Sequence, residues 1–128
     1  MKATDTGIKR ILKAFTYSYQ GFIATFKSEA AFRQDIAVFI IFSIIALCLP
    51  LQLTEQLKLI SALLLILLAE LINTAIETII DRISPDYHEL SKKAKDIGSL
   101  IVLLAFIYAV LQWWNVFVYL YKMILSYV

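Results

Sequence analysis

The sequence predicts an all-α membrane protein: an N-terminal amphipathic helix lying in the interface, followed by three transmembrane helices. Three observations carry that prediction. The chain has 128 residues, of which 61% are apolar and 17% charged, against about 45–50% and about 25% in soluble domains. A soluble fold this small buries only about two-thirds of its chain surface, too little to hide so much apolar side chain. The charges are also segregated. None occurs in the 19 residues from Ile36 to Thr54 or in the 25 from Ile97 to Tyr121, and about 20 apolar residues cross a bilayer. Finally, three glycines and two prolines are too few for a loop-rich β fold or a disordered linker. A single cysteine excludes a disulfide framework or a multi-thiolate metal site. A net charge of +2 gives no footprint for nucleic acid, and none is expected as a partner. The chain reads as one domain over residues 1–128.

At the start, Ile8, Ile11, Leu12, Phe15, Tyr19, Phe22, Ile23 and Phe26 recur at i, i+3, i+4, i+7 spacing. Lys9, Arg10, Lys13, Thr16, Gln20 and Lys27 fill the positions between them. This spacing predicts a surface helix over about 7–28, its basic flank near anionic headgroups. The same cations interrupt any apolar core of a signal peptide. A first span is expected at about 34–51, closed by Pro50 at its outer end. A second, at about 59–81, is apolar except for Ser61, Glu70, Asn73, Thr74, Glu77, Thr78 and Asp81. Ser84-Pro85-Asp86 breaks the chain into a turn, and helix resumes after His88 to enter a third span at about 97–121.

Basic residues set the expected orientation. Six Lys and Arg precede the first span and four lie between the second and third, whereas Lys58 and Lys122 stand alone on the other side. The positive-inside rule then puts the N-terminus and the 82–96 loop in the cytoplasm and the C-terminus outside, which in a bacterium is the periplasm. Trp113, Trp114, Tyr119 and Tyr121 form the aromatic belt at the far interface.

The second span carries the chemistry. Glu70, Asn73, Glu77 and Asp81 are spaced by three, four and four residues, so at 100° per residue they form one narrow stripe. An intramembrane carboxylate is costly unless it is neutralised, paired or bound to metal. Pairing with Lys95 or Arg33 is one solution. Two carboxylates with an amide between them also suit a hard cation such as Mg²⁺, which completes its shell with water and substrate phosphates. If Arg82 marks the boundary, Glu77 lies about 7 Å and Glu70 about 18 Å inside it. The shallow acid then meets the cytosol and the deep one meets the lipid. A second polar cluster, Lys92, Lys93, Lys95, Asp96 and Ser99, opens the third span, and Glu29, Arg33 and Asp35 bracket the entry to the first.

The blocks Glu29 to Gln34, Glu70 through Asn73 and Glu77 to Asp81-Arg82, Tyr87 to Ser91, and Ala94-Lys95-Asp96-Ile97-Gly98-Ser99 closely resemble the prokaryotic diacylglycerol kinases, of the Gram-negative type. Gly7 to Arg10 and Tyr17-Ser18 extend the resemblance over nearly the whole chain. The resemblance implies a homotrimeric integral kinase of the bacterial inner membrane that phosphorylates diacylglycerol to phosphatidic acid with ATP and Mg²⁺. It implies Glu70 as general base and Glu29 and Glu77 as metal ligands. Around ATP it implies Arg10, Tyr17, Glu29, Glu77, Asp86, Tyr87, His88, Lys95 and Asp96. Around the lipid it implies Arg10, Ala31, Phe32, Arg33, Gln34, Asp35, Glu70, Ser99 and Trp113. Asn73 is expected to orient one of these partners.

The residues themselves agree with phosphoryl transfer, which needs charge neutralisation on the phosphates and a base on the hydroxyl. Glu77, Lys95 and Glu70 supply these in the correct order of depth. No G-x-x-x-x-G-K-[ST] loop exists, since the glycines are Gly7, Gly21 and Gly98. Three other functions share part of the pattern. An undecaprenol kinase would use the same groups on another lipid. A small proton-coupled transporter would use Glu70 alone and leave Asn73, Glu77, Lys95 and Asp96 without a role. A channel subunit would use the acids as a carboxylate ring.

Overall fold

The computed structural model describes residues 7–126. Four helices follow in order: α1 (Ile8–Ser28), α2 (Ala30–Cys48), α3 (Leu53–Ile83) and α4 (Glu89–Leu125). Each matches an element expected from the sequence, and α2, α3 and α4 are long and apolar enough to cross a membrane. At 1.5 Å per residue, the 31 residues of α3 and the 37 of α4 run about 46 and about 55 Å. Both exceed the roughly 30 Å hydrocarbon core, so their ends project beyond it.

The breaks have local causes. Gly7 opens α1 at φ 65°, a left-handed value that costs glycine nothing. Between α1 and α2 only Glu29 leaves the helical conformation, at φ −103° and ψ 115°. No proline or glycine marks that break. Arg33 holds it by donating from Nη1 to the carbonyls of Phe26 (2.9 Å) and Lys27 (3.2 Å), acceptors that the end of α1 leaves unused. Pro50 follows the end of α2. There Gln56 reaches back from α3 and donates to the carbonyls of Leu47 and Leu49. After α3, the Asp86 amide donates to Ser84 Oγ at 3.0 Å, and Pro85 between them cannot continue the helix. His88 then starts α4, its Nδ1 accepting from the Leu90 amide at 3.2 Å.

α3 is the central helix. It packs most extensively on α4 and next on α2, while α1 packs lightly, chiefly on α2. The α3–α4 seam is built from Ala62, Leu63, Ile66 and Ala69 against Ala105 and Ala109. A second cluster, Ala46, Leu59 and Val116, ties in α2 at the other end. In lipid there is little hydrophobic drive between helices, so small residues that admit close backbone contact decide where helices join. α1 has no buried residue; its contact with α2 centres on Phe22, edge-on to the buried Phe32 with ring centroids 5.8 Å apart. Ile8, Phe15 and Tyr19 on its apolar face stay exposed. The most apolar stretches of α2, α3 and α4 are only 11%, 28% and 22% buried within the chain. Their remaining surface suits lipid or further protein.

Ala62 is fully buried in the seam. Ala62→Leu should lower unfolding stability by about 1–3 kcal/mol, the usual cost of forcing extra methylenes into a packed core. The unfolding midpoint in a detergent titration reads this; an unchanged midpoint contradicts a close seam.

Candidate active site

The acidic stripe is the continuation of the core face of α3. At 100° per residue, Leu59, Ala62, Leu63, Ile66 and Ala69 share a sector of about 120° with Glu70, Asn73, Glu77 and Asp81. One face therefore changes from apolar to acidic at Glu70. Because that face is the one turned to the neighbouring helices, the acids meet protein. Glu70, Asn73 and Glu77 are all half-buried, and no polar side chain among the described residues is fully buried.

Glu70 feels the charges of Asp35, Glu77 and Glu29. These four carboxylates come from the α1–α2 junction, α2 and α3. The two cations that could have neutralised Glu70 are engaged elsewhere: Arg33 on the α1 carbonyls and Lys95 on Asp81, at 2.6 Å. Lys95 lies just before the apolar stretch of α4. Its hydrogen bond to Asp81, helped by the nearby Glu77, holds the ammonium above the ordinary lysine pKa. Lys92 pairs with Asp96 along α4 at 2.6 Å.

Asn73 donates from Nδ2 to Glu77 Oε1 at 3.2 Å, the kind of bond by which an amide orients a carboxylate. Glu29 Oε1 accepts from Ser28 Oγ at 2.8 Å. Among the described residues no three His, Cys, Asp or Glu side chains converge into a cage. Mg²⁺ is a cation that can be held by one or two carboxylates, with water and phosphate oxygens completing its shell.

Beside the shallow end of the stripe lies a cleft of about 450 Å³ lined by Asp81, Asp86, Tyr87, His88, Lys95 and Asp96 among others. That volume lies within the range of small-molecule sites. The structure thus assembles five of the residues expected around ATP in one place, where the projecting ends of α3 and α4 meet. A neighbouring recess is lined by Asp86, Tyr87 and His88 as well. Arg10 and Tyr17 line neither; they stand exposed on α1. Of the residues expected around lipid, Asp35 is close to Glu70, Phe32 is buried against α1, and Ala31, Gln34 and Ser99 are exposed. Trp113 lies fifteen residues beyond Gly98 on α4, about 22 Å along the helix. It stacks edge-on against Phe42 with centroids 5.2 Å apart and lines a wholly apolar groove of about 220 Å³ with Val38, Phe106 and Val110.

A family model described as prokaryotic diacylglycerol kinase matches residues 16–117, a segment that includes α2, α3, the cleft and Trp113. The chain belongs to the prokaryotic diacylglycerol kinase family. A protein named diacylglycerol kinase from Escherichia coli (strain K12) is 43% identical over 113 residues, 88% of this chain and 93% of its own length. One of the same name from Pseudomonas aeruginosa is 42% identical over 109 residues, covering 85% and 89% of the two chains. Another from Helicobacter pylori (strain 26695) is 35% identical over 115 residues, 90% of each. Arg10 precedes the segment matched by the family model, whereas both acidic blocks lie within it.

Two features of the site in this kinase-family chain escape sequence reasoning. The capping role of His88 is one: a solvated loop histidine and a helix cap have the same local sequence. The other is the apposition of Gly98 and Asn73, which belong to different helices. His88→Ala should remove the cap and lower stability by about 1 kcal/mol, whereas His88→Asn retains an acceptor and most of that stability. Thermal unfolding of the two variants checks the cap. Nucleotide titration of both separates it from a role of the imidazole on the nucleotide, which Asn would not restore.

Proposed function

We propose that this chain is an integral-membrane kinase that transfers the γ-phosphoryl group of ATP to diacylglycerol, giving phosphatidic acid and ADP. Family membership supports the acceptor and the donor. The observation that carries the chemistry is the acidic stripe on the core face of α3, which runs from Glu70, nearest the apolar seam, to Asp81 in the polar cleft. A lipid hydroxyl and a nucleotide can approach such a stripe from opposite ends.

In this reading Glu70 accepts the proton of the diacylglycerol hydroxyl as its oxygen attacks the γ-phosphorus, and the bond to the bridging oxygen of ADP breaks. Glu29 and Glu77 hold Mg²⁺, which supplies charge neutralisation on the phosphates. Lys95 leaves Asp81 for the phosphate oxygens, and Asp86, Tyr87, His88 and Asp96 surround the nucleotide. Arg10 and Tyr17 complete that site from α1. Arg10, Ala31 to Asp35 and Ser99 contact the lipid near its headgroup. Trp113 and its apolar groove, about 22 Å along α4 from Gly98, would meet only the far end of an acyl chain.

The same reading puts the chain in the bacterial inner membrane, N-terminus and cleft on the cytoplasmic side and C-terminus in the periplasm, as the distribution of Lys and Arg supports. It also makes the chain a homo-oligomer, a trimer. The exposed apolar face of α1 and the sparse burial of the spans leave surface for contacts between copies as well as for lipid. Contributions to one site from two copies would bring Arg10 and Tyr17 to the nucleotide.

Glu70→Gln keeps shape but cannot take a proton. It should lower lipid phosphorylation by about 10²–10⁴-fold, the usual worth of a general base, with nucleotide binding retained. Near-normal turnover in a mixed-micelle assay with purified protein removes the base assignment. Running diacylglycerol and undecaprenol side by side tests the acceptor. Glu77→Gln and Glu29→Gln should each raise the Mg²⁺ requirement, read as activity against free Mg²⁺. At Mg²⁺ low enough to silence Glu29→Gln alone, mixing it with Glu70→Gln subunits should restore activity if copies share sites; none at any ratio contradicts sharing.

A further inference from the structure

Gly98 is buried inside α4, where glycine weakens a helix relative to alanine. Its surroundings give the reason. A Cβ built there would overlap Asn73 Oδ1, and would lie 3.3 Å from Asn73 Cγ and 3.5 Å from Asn73 Cα. The α4 backbone is therefore seated directly on the Asn73 amide. That amide oxygen is enclosed and has no hydrogen-bond partner, so no bond of its own fixes the oxygen end of the group. What holds it is the packing of α4 against it. At the other end, Nδ2 donates to Glu77 Oε1 at 3.2 Å.

We propose that Gly98 is a positioning residue that acts through Asn73 on Glu77: by leaving room for the Asn73 amide, it aims Nδ2 at Glu77 and so presents the second carboxylate oxygen to the divalent cation. The inference rests on the reading of Glu77 as a metal ligand. The physical logic is that a carboxylate ligand performs best when one oxygen is tied down by a fixed donor. Asn73 is that donor, and its own orientation is set from the opposite helix, twenty-five residues away in sequence. The glycine of the Lys95-Asp96-Ile97-Gly98-Ser99 block and the asparagine of the Glu70-to-Asp81 block are then two halves of one device.

The geometry separates this role from simple helix packing. Gly98→Ala forces the amide to move, since the clash falls on Oδ1 and Cγ, whereas the 3.5 Å approach to the Asn73 backbone is an ordinary van der Waals distance. Asn73→Ala removes both clashing atoms and with them the donor to Glu77. The double variant relieves the clash without restoring the donor. Four proteins are compared with the parent in detergent micelles: Gly98→Ala, Asn73→Ala, the double variant and Glu77→Gln. Mn²⁺ binding is titrated by electron paramagnetic resonance of the free ion, in the presence of a non-hydrolysable ATP analogue, and thermal unfolding is followed on the same preparations.

Second-sphere losses cost about 10–100-fold in metal affinity, and that range is expected for Gly98→Ala and for Asn73→Ala. The double variant should bind Mn²⁺ as weakly as Asn73→Ala and no more weakly, while recovering the unfolding temperature that Gly98→Ala loses. Multiplicative losses in the double variant overturn the relay. So does parental Mn²⁺ affinity in Asn73→Ala, which carries no clash and stands even if Gly98→Ala fails to fold. Weak binding in Glu77→Gln with parental affinity in Gly98→Ala and Asn73→Ala overturns the relay alone. Parental affinity in Glu77→Gln overturns the metal reading of Glu77 and the relay with it.

Discussion

A carboxylate costs several kcal/mol in hydrocarbon unless protein, water or a cation compensates it, and the arrangement of this chain follows from where it puts Glu70 and Glu77. Both lie on the face of α3 that is already committed to packing, so the acids inherit protein neighbours from the apolar residues before them. That requires α3 to be the middle helix, with α4 and α2 against it, as the fold has it. The apolar part of the face supplies cohesion, and the acidic part carries the proposed chemistry.

Cohesion and chemistry share a second requirement, close approach of α4. Ala62 and Ala69 face Ala105 and Ala109, and toward the polar end Gly98 faces Asn73. A large residue at any of these points would hold α4 away along its length. The helices continue beyond the hydrocarbon, and their projecting ends form the cleft that Lys95 and Asp81 join across. The geometry of the cleft is thus tied to the seam that holds the membrane part together.

α1 is held differently. One arginine on two carbonyls and one aromatic contact fix its junction with α2, while most of its length offers an apolar face to the outside. An element so lightly attached can follow the membrane surface or a neighbouring copy. The proposed oligomer gives that face a partner and gives Arg10 and Tyr17 a place beside the nucleotide.

Much of this was determined by the sequence alone. Charge-free stretches long enough to cross a bilayer, a 3.6-residue period in the first helix and a four-residue ladder of acids are local properties, each readable without knowing a neighbour. Pro50 and Ser84-Pro85-Asp86 marked two breaks because proline acts on its own backbone. The third break, at Glu29, has no such residue and depends on Arg33 folding back. Only the tertiary structure decided which charge meets which. Lys95 was a candidate partner for Glu70 and pairs with Asp81 instead; Arg33 was another and serves as a helix cap. Gly98 and Asn73, like Asp81 and Lys95, stand on different helices, and their meeting depends on the register between α3 and α4. That register is set by side-chain volumes along a seam of about 30 Å, and the periodicity of either helix alone carries no record of it.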